Sequence, residues 1–552
     1  MPVRKALEAV SLGMALLLAT PAARADIADL LIVNAKIVTL EPDLPIARSM
    51  SVRGDRILGV YDASPPPAIV GPTTRVIDAG GRTLVPGLID SHIHAIRAGL
   101  TFDEDVSFEG ARTIPEAMAR LSRAASATDP DRWIVVAGGW TPQQFAEARR
   151  PTREEIEAAA PGRRVYLQLF YRAAFLSEAA QSELRIKLEH PPSGTQFERT
   201  PSGDPSGWLS GNVDAVAALW ERLPKSSIDA RTSGTRAFFA KLNTYGITGV
   251  IDPGGHNLAP VDYRAVSDLA TADLLSLRVD YFVSAPQRGT ELAFFQDVAA
   301  RQPIGSGHSF LRFRGIGERV TLGMYNNDAP DASDIAAFES VARWALAADV
   351  PMTVHWNNQA SAHHLLEALA RVGDATQRRR LRWSIAHLHD ADPKLIYALQ
   401  ELGLGWLTQN ALYFAAPAFL RAMSSARREV APPIRSALRA GLKVAAGTDA
   451  TRVMTANPFV AMQWMLDGRT VDGQQTRSAD ELPSRDEVLR LWTEGPAYFA
   501  FAETERGRIA SGMLADFAVL DADFMSVPVE RIGSIKSVLT VVGGRVVYTS
   551  PD

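Results

Sequence analysis

Residues 84–100 read LVPGLIDSHIHAIRAGL, and the two histidines in this stretch decide how the chain is read. A short apolar run closes on Asp90-Ser91-His92-Ile93-His94. The whole chain has only 10 histidines in 552 residues. On a β-strand alternate side chains share a face, so His92 and His94 point the same way. That suits a metal bound through two imidazoles. It also suits two ordinary polar residues at a strand end, and other parts of the chain must separate the two readings.

Downstream, short apolar strands precede helix-like stretches, as in DASDIAAFESVARWALAADVPMTVHW, residues 331–356. Strands alternating with helical patterns predict parallel βαβ units. Eight strands are expected: Leu84–His94, Thr248–Asp252, Leu277–Ser284, Leu311–Val320, Pro351–Trp356, Leu381–Leu388, Leu404–Gln409 and Lys443–Asp449. Eight is the count of an α/β (β/α)8 barrel. Between the first and second strands lies an insertion, about residues 98–235, with strand-like pieces RWIVVAGGW and RRVYLQLF. An insertion after a barrel strand lands on the C-terminal face, over the site.

Both ends of the chain are rich in β-branched residues between Gly, Asn and Asp breaks. Residues 26–82 and 507–552 are therefore expected to form one small composite β-sandwich, leaving residues 83–506 for the barrel. At the N-terminus, Arg4 and Lys5 precede an apolar stretch and an Ala23-Arg24-Ala25 site. This is a secretory signal layout, with residues 1–25 removed and the mature chain periplasmic or secreted. The apolar run falls short of the roughly 20 residues of a membrane span, so no stable membrane insertion is expected after cleavage. The net charge of −4 gives no support for nucleic-acid binding. The chain has no cysteine, which excludes disulfides and thiolate metal sites. The expected partner is a small-molecule substrate; a homo-oligomer is compatible with this composition.

Barrel enzymes place their chemistry at the C-terminal ends of strands. Those ends carry His92 and His94, then Glu318 in RFRGIGERV, His355 in PMTVHW, His387 and His389 in WSIAHLHD, and Asp449 in VAAGTDA. Each alone reads first as an ordinary strand-end histidine or an aspartate capping the next helix. Four histidines and an aspartate at four matching ends read jointly as a metal site.

These residues resemble a known family. LVPGLIDSHIH is similar to the first-strand signature of the amidohydrolase superfamily of metal-dependent hydrolases. YGITGVID, VHWNNQA, IAHLHD, AAGTDA and GRIASGMLADFAVLDADF resemble later landmarks of its amidohydrolase-3 branch, which includes N-substituted formamide deformylase, and VVAGGWTPQQF resembles its insertion. The resemblance implies that His92 and His94 bind a buried metal and that His355 and His387 bind a second one. It implies that Asp449 ligates the first metal and handles the proton, and it leaves His389 unmatched. Two departures stand out. The branch usually has a lysine on strand four, and here Glu318 is the nearest carboxylate, one residue further on. A one-residue slip reverses the facing, so a bridging Glu318 requires a bulge, which Gly315 and Gly317 permit. In the insertion, Tyr171 stands near a position that usually carries a histidine, as an oxyanion donor, a substrate contact or a buried aromatic.

The expected reaction is hydrolysis of a non-peptide C–N bond in an amide, N-acyl or cyclic amide, with one or two Zn²⁺ lowering the pKa of water and Asp449 as general base and acid. Trp140, Tyr171, Trp208, Trp356 and Asn410 are the expected substrate contacts. A lactonase or esterase on the same metal site, and a non-catalytic periplasmic binding protein, are the competing readings.

Overall fold

The structure is a computed structural model that describes residues 27–325, 328–422 and 424–551; the expected leader, residues 1–25, lies outside the described residues. Eight parallel strands carry the centre of the chain. They are β1 (Leu88–Asp90), β2 (Ile247–Asp252), β3 (Arg278–Val283), β4 (Leu311–Ile316), β5 (Thr353–Trp356), β6 (Ser384–His387), β7 (Gly405–Gln409) and β8 (Val444–Gly447). They alternate with helices, as the sequence pattern predicts. Every residue of β2 and of β3 is buried, as expected of parallel strands covered on both faces.

The strands fall into two sheets. One is ordered β1-β2-β3-β4, with a short antiparallel strand, Gly307–His308, beside β4. The other is ordered β5-β6-β7-β8. A parallel bridge between Ile316 and Met352 links the β4 end to the β5 start. On the other side Ser91 N donates to Ala446 O at 3.1 Å and Asp449 N donates to His92 O at 2.8 Å, tying β1 to β8. Local sequence sets the helix starts behind the strands. Asn358 caps Gln359–Ala370 two residues after β5, and Asp392 caps Pro393–Glu401 after β6.

The first expected strand is shorter than its apolar run. Thr83–Pro86 lies outside the parallel sheet and pairs with Lys36–Val38 and with Phe517–Leu520, so only Leu88–Asp90 remains in the parallel sheet. Continuous apolarity cannot mark a strand that changes sheets, and Gly87, between the two pieces, is the only break. His92 and His94 accordingly lie just past β1, in the turn that starts the short helix Ala95–Gly99.

The two chain ends do meet. One sheet is ordered Arg56–Tyr61, Ser49–Arg53, Leu30–Val33, Arg75–Asp78; the other holds Lys36–Val38 and Thr83–Pro86 beside Phe517–Leu520, Ser537–Val542 and Arg545–Thr549. A single apolar cluster draws Ile32, Met50 and Val52 from the first and Ile37, Phe517 and Val541 from the second. The insertion builds its own five-stranded sheet, ordered Thr195–Arg199, Pro205–Gly211, Ala173–Leu176, Val165–Leu169, Ile134–Val136. No helix among the described residues is long and apolar enough to cross a membrane.

Candidate metal centre

The strand ends converge on one carboxylate. Glu318 Oε2 lies 2.9 Å from His355 Nδ1, 3.3 Å from His387 Nε2 and 3.4 Å from His92 Nε2. Its Oε1 lies 3.5 Å from His94 Nε2. Asp449 closes the cluster, with Oδ1 at 3.2 Å from His94 Nε2 and 3.7 Å from His92 Nε2. Two groups offer ligand atoms within 4.8 Å of one another: His92, His94 and Asp449, and His92, Glu318 and His387. His355 joins through Glu318.

The backbone explains how Glu318 comes to face inward. Along β3 and β4 the register runs Tyr281 to Phe313 and then Phe282 to Gly315, which leaves Arg314 as an extra residue, a bulge. Gly317 follows at φ +151°, where a Cβ would meet Thr353 at 2.4 Å. The slip of one residue is thereby absorbed before Glu318. His387 and Asp449 take positive φ, 75° and 59°, an uncommon choice for residues with a Cβ and one found where structure aims a side chain at a site.

A surrounding set of hydrogen bonds orients these groups. His94 Nδ1 donates to Gly254 O at 2.6 Å, which leaves Nε2 as the free lone pair facing Glu318 and Asp449. Gly255 must be glycine here, because a Cβ would meet the His94 ring at 2.9 Å. The buried Asp90 accepts from His92 N, Thr448 N and Thr448 Oγ1, clamping the ends of β1 and β8 together. Burial pushes its carboxyl up to about 7 in spite of those bonds. Gln409 Oε1 accepts from His387 N at 3.0 Å.

The charges are unusual for so dry a place. Burial would raise the Glu318 carboxyl, yet His355, His387 and His92 hold it well below the usual range. Burial would raise Asp449 too, and His94, His387 and His92 hold it at about 2. Burial and the charge of His355 push His387 down to about 4. Burial and His387 push His389, whose ring lies 5.4 Å from that of His387, down to about 3. Neither ring nitrogen of His92 has a hydrogen-bond partner, and neither has His387 Nδ1, although all are fully enclosed. Leaving such atoms unpaired is costly. A divalent cation fits this set: imidazole and carboxylate donors gather in two overlapping groups that share His92.

A layer of residues that sequence reading did not single out lies against the histidines. Tyr325 stacks on His355, ring centres 4.4 Å apart, and its hydroxyl lies 3.1 Å from His256 Nε2. His256 in turn lies 5.6 Å from Tyr171, which connects Tyr171 to the cluster. Arg97 and Arg452 flank the Tyr171 ring at 6.0 and 5.8 Å. The proximity of His256 and Tyr325 comes from loops after β2 and β4, and no spacing in the chain announces it. Arg97, three residues past His94, was visible in the opening stretch.

The expected aromatic wall is corrected. Trp140 and Trp208 pack with Phe108 and Phe175 in the core of the insertion. Trp356 is fully buried in the main core. Their indole N–H groups are taken by Gln168 O, Pro151 O and Ser361 Oγ respectively. Asn410, by contrast, is buried with both amide atoms unpartnered.

Comparison with known proteins identifies the family and the fold. Residues 75–548 match the model of the amidohydrolase family. N-substituted formamide deformylase of Arthrobacter pascens is 25% identical over 94% of this chain and 98% of its own. Protein LONG AFTER FAR-RED 3 of Arabidopsis thaliana is 24% identical over 95% and 92%. Among solved structures, an uncharacterized metal-dependent hydrolase from Pyrococcus horikoshii OT3 superposes with a TM-score of 0.66 at 16% identity, over 91% of this chain and 99% of that one. Atrazine chlorohydrolase from Arthrobacter aurescens TC1, complexed with zinc, gives 0.55 at 18% identity and 94% of each. At these identities the structural likeness shows the fold alone, the TIM-like α/β fold of metal-dependent hydrolases.

Proposed function

The chain belongs to the amidohydrolase family, and from that premise we propose that it cleaves a non-peptide C–N bond in a small amide, N-acyl or cyclic amide substrate. The observation that carries this reading is the single carboxylate of Glu318 within 3.5 Å of four imidazoles, with Asp449 beside it. In this reading His92, His94, His355, His387, Glu318 and Asp449 hold one or two divalent ions, Zn²⁺ by preference. The metal supplies an acidified water and a Lewis acid for the scissile carbonyl. Asp449 accepts the proton of the water and passes it to the leaving nitrogen, base and then acid. Glu318 would help hold the metal and offset its cationic charge, and the fixed His94 ring keeps its lone pair aimed inward. Tyr171 donates a hydrogen bond to the oxygen that gains charge.

The same reading takes the eight parallel strands as a closed barrel over residues 83–506, supported by the bonds that join β1 to β8. It takes the two end sheets, residues 26–82 and 507–552, as one sandwich around their common apolar cluster. Export and removal of residues 1–25 complete it. Mass spectrometry of the protein from the periplasm should then give a chain starting at Asp26; a mature chain still starting at Met1 contradicts export.

The test of function is a panel of formamides, N-acyl amines, cyclic amides and lactones with the metal-loaded protein. Turnover of an amide is expected, falling about 10²- to 10⁴-fold in Asp449→Asn. Turnover confined to lactones, or an Asp449→Asn enzyme as fast as the wild type, overturns the proposal.

A further inference from the structure

Three guanidiniums surround the candidate centre without a carboxylate of their own. Arg97 and Arg452 are only 5% and 3% exposed, and Arg319 is half-buried with an enclosed, unpartnered Nε. Each has only neutral contacts. Arg97 Nη1 donates to the carbonyl of His256 at 3.2 Å. Arg452 Nη1 donates to Asn257 Oδ1 at 2.5 Å and lies 3.5 Å from the Tyr171 hydroxyl. Arg319 lies over the ring of Tyr325 at 5.3 Å. Among the described residues, no Asp or Glu forms an ion pair with any of the three.

The nearby carboxylates are engaged elsewhere. Asp252 accepts from Ile96 N and Gly254 N. Asp105 accepts from Thr101 Oγ1 through one oxygen, and burial pushes its carboxyl up to about 7 against the opposing pull of Thr101 and of Arg452, with which it makes no ion pair. Glu318 is enclosed by histidines. The fold therefore brings two cations to one ring, Tyr171, and buries both. Buried charge is costly unless paired, and two like charges side by side make it worse. Such an arrangement is completed by an anion, and the planar fork of arginine matches a carboxylate in two-point contact.

The place is also right for a substrate group. Tyr171, His256 and Tyr325 form a continuous line of rings from these arginines to His355. On the other side Arg452 lies 4.0 Å over Trp220, and Trp220 and Asn257 are among the residues that line a cavity of about 490 Å³, as are Asp105 and Glu221.

We propose that Arg97 and Arg452, assisted by Arg319, form an anion subsite, and that the substrate is an amide carrying a carboxylate. This rests on the hydrolase reading above, and the test separates the two. The probes are N-formylglycine, 3-formamidopropanoate and 4-formamidobenzoate, each paired with its neutral carboxamide, so that three distances between amide and charge are sampled. Binding is measured by calorimetry on the metal-loaded Asp449→Asn protein, where turnover does not interfere. For at least one pair the carboxylate should bind roughly ten- to a hundredfold tighter than its twin, the scale of a charged hydrogen-bonded contact. Arg97→Met and Arg452→Met should erase that ratio and leave the affinity for the carboxamide within a few-fold, and Arg452→Lys should keep part of it. Metal content and the unfolding midpoint identify any variant that misfolds, and in that case the pairwise ratio in the Arg97 and Arg452 parent decides alone. Equal affinities in every pair, or no binding of any carboxylate at millimolar concentration, overturn the subsite. The wild-type kcat/KM for the same pairs reads the hydrolase. Preferential binding without hydrolysis leaves the subsite standing and fells the hydrolase reading; hydrolysis without charge preference does the reverse.

Discussion

At the scale of single residues, Glu318 is the informative position. The histidines and Asp449 are legible in the sequence because each closes an apolar run. Glu318 is legible only as the nearest carboxylate to a position that asks for one. What brings it inward is the extra residue Arg314 in the β4 ladder, and a bulge has no residue code beyond permissive glycines such as Gly315 and Gly317. In Glu318→Gln the geometry stays and the charge goes. Because that carboxylate alone touches all four imidazoles, the variant should lose at least half of the bound metal and most of the turnover, as read by elemental analysis of the dialysed protein. Full metal content in Glu318→Gln would falsify a bridging role. The tryptophans teach the opposite lesson. An aromatic residue reads equally as pocket wall or core, and Trp140, Trp208 and Trp356 are packed in core clusters. The arginines and His256 were missed because Arg97 and Arg452 meet only through the fold, from opposite ends of the catalytic region.

At the scale of elements, strand alternation predicted all eight parallel strands; the first was expected to start too early, before Gly87 where the chain leaves one sheet for another, and the first and fourth end earlier than expected, at Asp90 and Ile316. The β3–β4 pair also carries a buried ion cluster that supports the bulge. Asp280 on β3 accepts from Arg314 Nε at 2.6 Å and pairs with Arg506 from the C-terminal region. Burial would raise the Asp280 carboxyl, but Arg506 and Arg314 hold it below its usual value. Asp280→Asn leaves two buried guanidiniums without a counter-charge, and such losses cost about 3–5 kcal/mol. The denaturant midpoint should fall accordingly, together with activity, since Glu318 follows the bulge directly. The sign of the pH dependence follows from the depressed pKa. The ion cluster contributes fully above the unfolded carboxyl value of about 4 and is lost as pH falls toward the folded one. The stability gap between wild type and Asp280→Asn should therefore be widest near neutral pH and narrow in acid; a gap independent of pH contradicts the charged form.

At the scale of the molecule, the eight strands bring together candidate ligands that the chain spreads from His92 to Asp449, so the proposed metal binding predicts a coupling of metal to folding. Removing the metal by prolonged dialysis against chelator should lower the thermal midpoint, and restoring zinc should recover it; the shift grows with free metal as mass action requires. An unchanged midpoint at matched pH contradicts that coupling. Sequence patterning was sufficient for the α/β class of fold, because short apolar strands alternate with helical stretches along the chain. The layer of Tyr325, His256 and the unpaired arginines around Tyr171 was not legible, because it depends on how loops from separate strands and the insertion lie over one another. The most direct test of the central claim is anomalous diffraction at the zinc edge from crystals of the protein grown with zinc. The predicted result is a peak with ligands at about 2.0–2.2 Å, held by Glu318 among His92, His94, His355, His387 and Asp449. No peak in that cluster, or a peak with Glu318 turned away from it, contradicts the account.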